Sequence, residues 1–287
     1  MNIPVSIIVP TCNAGDSFYK FAEMIKKQTA NIVQVLVIDS SSSDKTVEIV
    51  KENGFTVEVI DRKDFGHGKT RQYALEKVDT EIVVFLTQDA LLFDKYAVEN
   101  IVKFLVSDEK IGAVYGRQIP YPETGILGSF ARLNNYPGIS RINTLADKEK
   151  LGIKAAFLSD SFSAYKKPML MDVGGFPKHV NFGEDMYVSA RLLMNGFKTG
   201  YCAEAKVYHA HDYSVKQEYE RCKEIGRFHK QEHWLLETFG KAEGEGLKFV
   251  VNEVRYLFKN GKWYYLPIAF MHNVVKYFGY KVGYRKA

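Results

Sequence analysis

Short runs of β-branched and aliphatic residues recur along the first 120 positions: VSIIVPT (5–11), VQVLVID (33–39), TVEVID (56–61), EIVVFLTQD (81–89) and AVYGRQI (113–119). Between them, segments 17–28, 44–53, 69–77 and 96–107 mix polar and apolar residues as helices do. Near-continuous apolar strands alternating with helices predict a parallel sheet covered on both faces. Such sheets bind ligands beyond the carboxyl ends of their strands. Thr11, Asp39, Asp61 and Asp89 stand at those ends. Asp89 splits an apolar stretch, and a carboxylate buried without a partner costs several kcal/mol. It is therefore expected to face a crevice, not the core.

The pattern loosens over 120–215. YPETGILG and NNYPGIS read as loops, and AAFLSDSFSAY as a strand or an active-site loop. The glycine-rich GGFPKHVNFG leads to a helix opening at Glu184, with Gly196 as its stop signal. KTGYCAEAKVYHAH reads as extended, and a long helix is expected over 215–239. After KAEGEG, the remainder is rich in large apolar and aromatic residues with scattered cations. The resulting division is 1–119, 120–214 and a helical extension over 215–287.

Composition adds two constraints. Of 287 residues, 46% are hydrophobic and 25% charged, as in globular proteins at large. Three separated cysteines, Cys12, Cys202 and Cys222, imply no disulfide framework and suit a reducing cytosol. The start, MNIPVSIIVPT, lacks the basic region of a secretory signal, and no stretch is apolar enough for a membrane-spanning helix. The net charge of +5 is concentrated at the end: from Lys241 onward there are nine Lys/Arg against three Glu. That points the tail at an anionic membrane surface, with a homodimer contact as the alternative and no nucleic-acid partner expected. The implied location is the cytoplasmic face of the cell membrane.

Four constellations carry candidate chemistry. PTCNAG follows the first strand and IDSSSSDKT the second. There Asp39 is placed to accept from the imide N–H of a pyrimidine base, while a residue of the serine-rich run caps the next helix. In FGHGKTRQYAL, Gly66 and Gly68 precede a helix whose amino end attracts anions, with Arg71 in its first turn. In TQDA, Asp89 offers a carboxylate of the kind that holds Mg²⁺ or Mn²⁺ together with substrate phosphates. Finally Glu184 and Asp185 open a helix, where negative charge is favoured. His209 and His211, two apart in an extended segment, would share a face. No G-x-G-x-x-G follows the first strand, which counts against a nicotinamide-binding fold.

Taken in order, SIIVPTCNAG, VIDSSSSDKT, GHGKTRQYAL, VVFLTQDA, GGFPKHVNFGEDM and VYHAH resemble the family 2 glycosyltransferases of the GT-A fold. They span roughly residues 3 to 212, and the GHGxTR and TQDA variants look most like the bacterial rhamnosyltransferase branch. The resemblance implies an α/β GT-A fold, a Rossmann-like, mostly parallel sheet flanked by helices. Residues 1–119 would form its nucleotide-sugar half and 120–214 its acceptor and catalytic half. It implies inverting transfer from dTDP-L-rhamnose to a lipid-linked or growing polysaccharide acceptor, with Mg²⁺ or Mn²⁺ as cofactor. A UDP-hexose or UDP-N-acetylhexosamine donor and a non-catalytic nucleotide-binding module are the alternatives. Pro10, Thr11, Asn13, Asp39, Gly68, Arg71, Gln88 and Asp89 would then surround the nucleotide sugar. Asp185 would be the base, with Glu184 beside it and kept ionised by the helix end. Asp89, His209 and, in reserve, His211 would hold the metal. Thr87 departs from the family's D-x-D motif, with Gln88 offering a neutral hydrogen bond in its place.

Overall fold

The computed structural model describes residues 2–241 and 244–286. The chain divides into two compact units. The first comprises Met1–Arg117, Gly138–Ala146 and Ala156–His209; the second comprises Gln118–Pro137, Asp147–Ala155 and Ala210–Ala287.

The first unit is built on one sheet. Its strands are β1 (Val5–Thr11), β2 (Ile32–Asp39), β3 (Thr56–Val59), β4 (Ile82–Leu86), β5 (Leu91–Leu92), β6 (Ile111–Ile119), β7 (Arg141–Asn143), β8 (Phe162–Lys166) and β9 (Lys198–Tyr208). The order is β3-β2-β1-β4-β8-β6-β9-β5, with β7 pairing β9. β3, β2, β1 and β4 run parallel, as the alternating pattern requires. β8 then enters antiparallel beside β4, and β6 with β8, β5 with β9 and β7 with β9 also pair antiparallel. The register puts Thr11 opposite Asp39, so the ends of β1 and β2 are level and both loops open on one edge.

Helices α1 (Ser17–Lys26), α2 (Thr46–Glu52), α3 (His67–Glu76) and α4 (Ala97–Val106) connect the early strands. α1 buries Phe18, Phe21, Ala22 and Ile25 against Val5, Ile7 and Val9 of β1 in one apolar cluster. Helix α5 (Ile126–Asn135) and the short α6 (Lys148–Leu151) belong to the second unit. α7 (Lys167–Asp172) carries proline in its first turn, where the missing N–H costs nothing. α8 (Glu184–Met194) is preceded by Gly183 at φ 81° and followed by Gly196, also at φ 81°, so glycine marks both ends.

The second unit holds α9 (Val215–Gln231), α10 (Trp234–Phe239), α11 (Glu245–Lys259) and α12 (Leu266–Lys286), with α5 against α11. α9 opens on a capping box, in which Ser214 and Gln217 satisfy each other's backbone N–H. α12 packs along α9 through glycines. A Cβ on Gly283 would lie 1.9 Å from the Lys223 carbonyl oxygen, and one on Gly226 would lie 2.2 Å from that of Tyr280.

Three expectations need correction. The loop-like stretch after residue 120 contains α5. The single helix over 215–239 is two, broken at Glu232 and His233. β9 ends at Tyr208, so strand alternation does not reach His209 and His211.

Candidate active site

The edge beyond β1 and β2 is a tightly bonded pair of loops. Asn13 and Ser41 are the described non-glycine residues with positive φ, at 50° and 51°. Such backbone is strained and is kept where surrounding bonds enforce it. Those bonds are present: Asn13 N–H donates to Ser42 Oγ at 2.7 Å, and Ser43 N–H donates to Asn13 Oδ1 at 2.9 Å. Asp39 is fully buried and accepts from Thr11 Oγ1 (2.9 Å), Ser42 N–H (2.8 Å) and Ser42 Oγ (2.6 Å). Three of a carboxylate's roughly four acceptor positions thus serve the loops themselves. Pro10 lies in β1, half-buried opposite Ile38. The capping expected of the serine-rich run comes from Asp44, which accepts from Thr46 N–H at 2.9 Å.

Gln88 is also committed within the protein. Its Oε1 accepts from Cys12 N–H at 2.8 Å and its Nε2 donates to Cys12 O at 3.1 Å, joining the β1 and β4 loops. Two of the four hydrogen-bonding positions of the Gln88 amide thus brace these loops. Gly68 differs from expectation as well. A Cβ there would sit 2.1 Å from Pro177 O, and its N–H donates to Val180 O at 3.3 Å. The glycine permits the 177–180 backbone to pass against α3, so its N–H is not free to cradle an anion.

Arg71 departs furthest from its sequence reading. It lies inside the first unit, 3% exposed, between two carboxylates. Its Nε lies 3.1 Å from Asp160 Oδ2 and its Nη1 2.7 Å from Glu184 Oε1. Asp160 was not singled out by sequence; the only signal was its place in LSDSFSAY. It also accepts from Ser163 Oγ and Tyr165 Oη, both at 2.7 Å. A guanidinium spanning two acids compensates the desolvation of all three groups, which neither acid could offset alone. Glu184 is thereby fixed to Arg71.

Asp185 is the next residue on the same helical turn and makes no ion pair among the described residues. Its Oδ1 accepts from Met186 N–H at 2.8 Å, and its Oδ2 accepts from Asp160 N–H at 3.3 Å. Burial, then the charges of Glu184 and Asp160, push its carboxyl up to about 8, with Arg71 and the Met186 N–H opposing. The helix end does not keep it ionised, contrary to expectation: desolvation and two neighbouring acids outweigh the dipole. The result is a proton-binding group poised near neutrality.

Asp89 sits exposed in the turn after β4, where Ala90 N–H closes onto Thr87 O at 3.0 Å. Its Oδ2 is 3.3 Å from Nε2 of the buried His209, the last residue of the first unit. One hard carboxylate oxygen beside one imidazole nitrogen is a donor pair suited to a divalent cation. Thr87 Oγ1, where the family motif has an acid, is buried without a hydrogen-bond partner. His211 follows two residues along the chain, in the second unit.

Comparison with known proteins gives this geometry a family. The profile of glycosyl transferase family 2 matches residues 6–174. The chain is 41% identical over 281 residues to the O-antigen chain rhamnosyltransferase RfbN of Salmonella typhimurium, covering 97% of this chain and 89% of that protein. It is 40% identical over 280 residues to the O-antigen chain rhamnosyltransferase WbaN of Salmonella anatum, covering 97% and 88%. Among solved structures, a mannosyltransferase from Pyrobaculum calidifontis, in complex with GDP-mannose and Mn²⁺, superposes with a TM-score of 0.67 at 17% identity. That match covers 100% of this chain and 89% of the other and speaks to the fold alone. The chain belongs to glycosyl transferase family 2, and it is a glycosyltransferase of the GT-A fold.

Proposed function

We propose that the protein is an inverting rhamnosyltransferase, moving L-rhamnose from dTDP-L-rhamnose to a hydroxyl of a lipid-linked or growing polysaccharide. The observation that carries the catalytic reading is the pairing pattern at 160, 184 and 185. Asp160 and Glu184 share Arg71, while Asp185 makes no ion pair among the described residues. An acceptor hydroxyl needs a base as its bond to the sugar forms, and a base works best with a pKa near the operating pH. Asp185, raised to about 8, meets that condition. Inversion needs one carboxylate on the attacking side. The backbone N–H of Asp160 orients that carboxylate, and the Arg71 cluster holds Glu184 away from the proton transfer.

Asp89 and His209 would hold a divalent cation. When bound there, such a cation would supply positive charge for the leaving diphosphate. Imidazole nitrogen favours Mn²⁺ over Mg²⁺, which prefers an all-oxygen shell. Pro10, Thr11 and Asn13 line the edge where the nucleotide would lie. The donor assignment rests on the two O-antigen chain rhamnosyltransferases at about two-fifths identity.

The tail reading is part of the same proposal. Among the described residues no helix is long and apolar enough to cross a membrane. Phe258, Trp263, Tyr264 and Phe270 are nonetheless exposed, close in sequence to Lys259 and Lys262. Exposed rings beside cations suit docking at an anionic membrane surface, where a lipid-linked acceptor would be met. The donor is tested by calorimetric titration with dTDP, dTDP-L-rhamnose, UDP, UDP-glucose and UDP-N-acetylglucosamine in Mn²⁺. Binding of the dTDP compounds in preference to the UDP compounds is expected. Tight UDP-N-acetylglucosamine binding with none to dTDP would overturn the choice.

A further inference from the structure

The second unit holds a half-open cavity of about 880 Å³ among α5, α9, α11 and α12. That is large for a small-molecule site, which typically measures about 300–1,000 Å³. Its wall combines rings, Phe249, Tyr265 and Tyr277, with a buried acid, Glu253. Glu253 is 3% exposed and its Oε2 accepts from Asn273 Nδ2 at 2.6 Å. That leaves Oε1 available to a further donor. Burial pushes the Glu253 carboxyl up, with the Asn273 bond opposing.

This mixture discriminates among ligands. A hydrocarbon chain has no donor for Glu253 and would leave its carboxyl facing apolar matter, at a cost of several kcal/mol. Arg132, Arg221 and Lys276 also line the wall but are engaged within the protein: Lys276 Nζ lies 3.5 Å from Glu218 Oε1, Arg132 Nη1 donates to Gln118 Oε1 at 2.6 Å, and Arg221 lies over the Tyr213 ring. A second diphosphate would have to break those pairings and face a buried acid as well. A neutral saccharide fits both features: its C–H face lies against rings and its hydroxyls donate to a carboxylate and exchange with an amide. We propose that this cavity binds a neutral saccharide, the sugar portion of the acceptor. The assignment rests on the transferase reading above and adds to it where the acceptor is held.

The test is saturation-transfer NMR on the full chain with the methyl glycosides of L-rhamnose, D-galactose, D-glucose and D-mannose. The sugar-free amphiphile dodecylphosphocholine is the competitor. At least one glycoside is expected to receive saturation. Tyr277→Ala, at an exposed position, and the isosteric Glu253→Gln should each weaken it by roughly tenfold, about 1.4 kcal/mol. Both variants should bind dTDP as the parent does. No transfer to any glycoside, transfer unchanged in both variants, or displacement by the amphiphile each overturns the proposal. Hydrolysis of dTDP-L-rhamnose is measured alongside. Hydrolysis without glycoside binding removes the cavity assignment alone, whereas glycoside binding without hydrolysis leaves a saccharide site and removes the donor reading.

Discussion

At the scale of residues, the decisive contrast is between adjacent acids on one helical turn. Glu184 and Asp185 look interchangeable in sequence, and only the position of Arg71 separates them. Arg71 and Asp160 come from distant parts of the chain, so no local pattern could have joined them. The raised pKa of Asp185 has a consequence for stability. The folded protein holds this proton more tightly than the unfolded chain, whose ordinary value is 3.8. The stabilisation it brings is complete below about 4 and is lost as pH rises through about 8. Asp185→Asn has no charge to bury, so its melting temperature should exceed the parent's by more at pH 9 than at pH 5. Differential scanning fluorimetry across that range checks the sign. An equal offset at both pH values would mean that Asp185 is not strained by its surroundings.

At the scale of elements, the parallel strands β1 to β4 and helix α8 were legible because their signals are local. Apolar β-branched runs, alternation, and glycine at helix ends each act within a few residues. α5 was hidden because ILGSFARLNN lies between turn-like sequences and buries only Phe130. The break between α9 and α10 falls at Glu232 and His233, with neither glycine nor proline to announce it. The glycines of α12 read as poor helix formers, but Gly279 and Gly283 are where α9 approaches. Gly→Ala inside a helix ordinarily stabilises by about 1 kcal/mol. At Gly283 the new methyl would sit 1.9 Å from the Lys223 carbonyl oxygen, so the sign should reverse. Gly283→Ala is expected to destabilise by about 1–3 kcal/mol, as overpacking does. Urea unfolding followed by circular dichroism gives the number; a stabilised variant would show that the two helices do not pack at this distance.

At the scale of the molecule, the ordered set of motifs identified the family, because six short segments in one sequence order are far more restrictive than any one. The site was legible to the extent that its residues lie at strand and helix ends. Asp89, Asp185 and His209 remain the proposed working groups, whereas Gly68, Arg71 and Gln88 are used to build the scaffold. The tail was legible in charge and aromaticity, but not in its packing along α9. If it docks on membranes, the full chain should co-sediment with anionic vesicles and not with neutral ones, and a chain ending at Phe239 should stay in solution. Full-length protein remaining in the supernatant while truncation converts a dimer to monomer would assign the tail to a subunit contact. The central claim is that Asp185 is the base of transfer from dTDP-L-rhamnose. It is tested most directly by the rate of dTDP release from dTDP-L-rhamnose in Mn²⁺, for the parent, Asp185→Asn and Glu184→Gln. The parent should release dTDP, and Asp185→Asn should be slower by about 10²–10⁴-fold with donor affinity retained. Normal release by Asp185→Asn, or no release by the parent, would contradict the account.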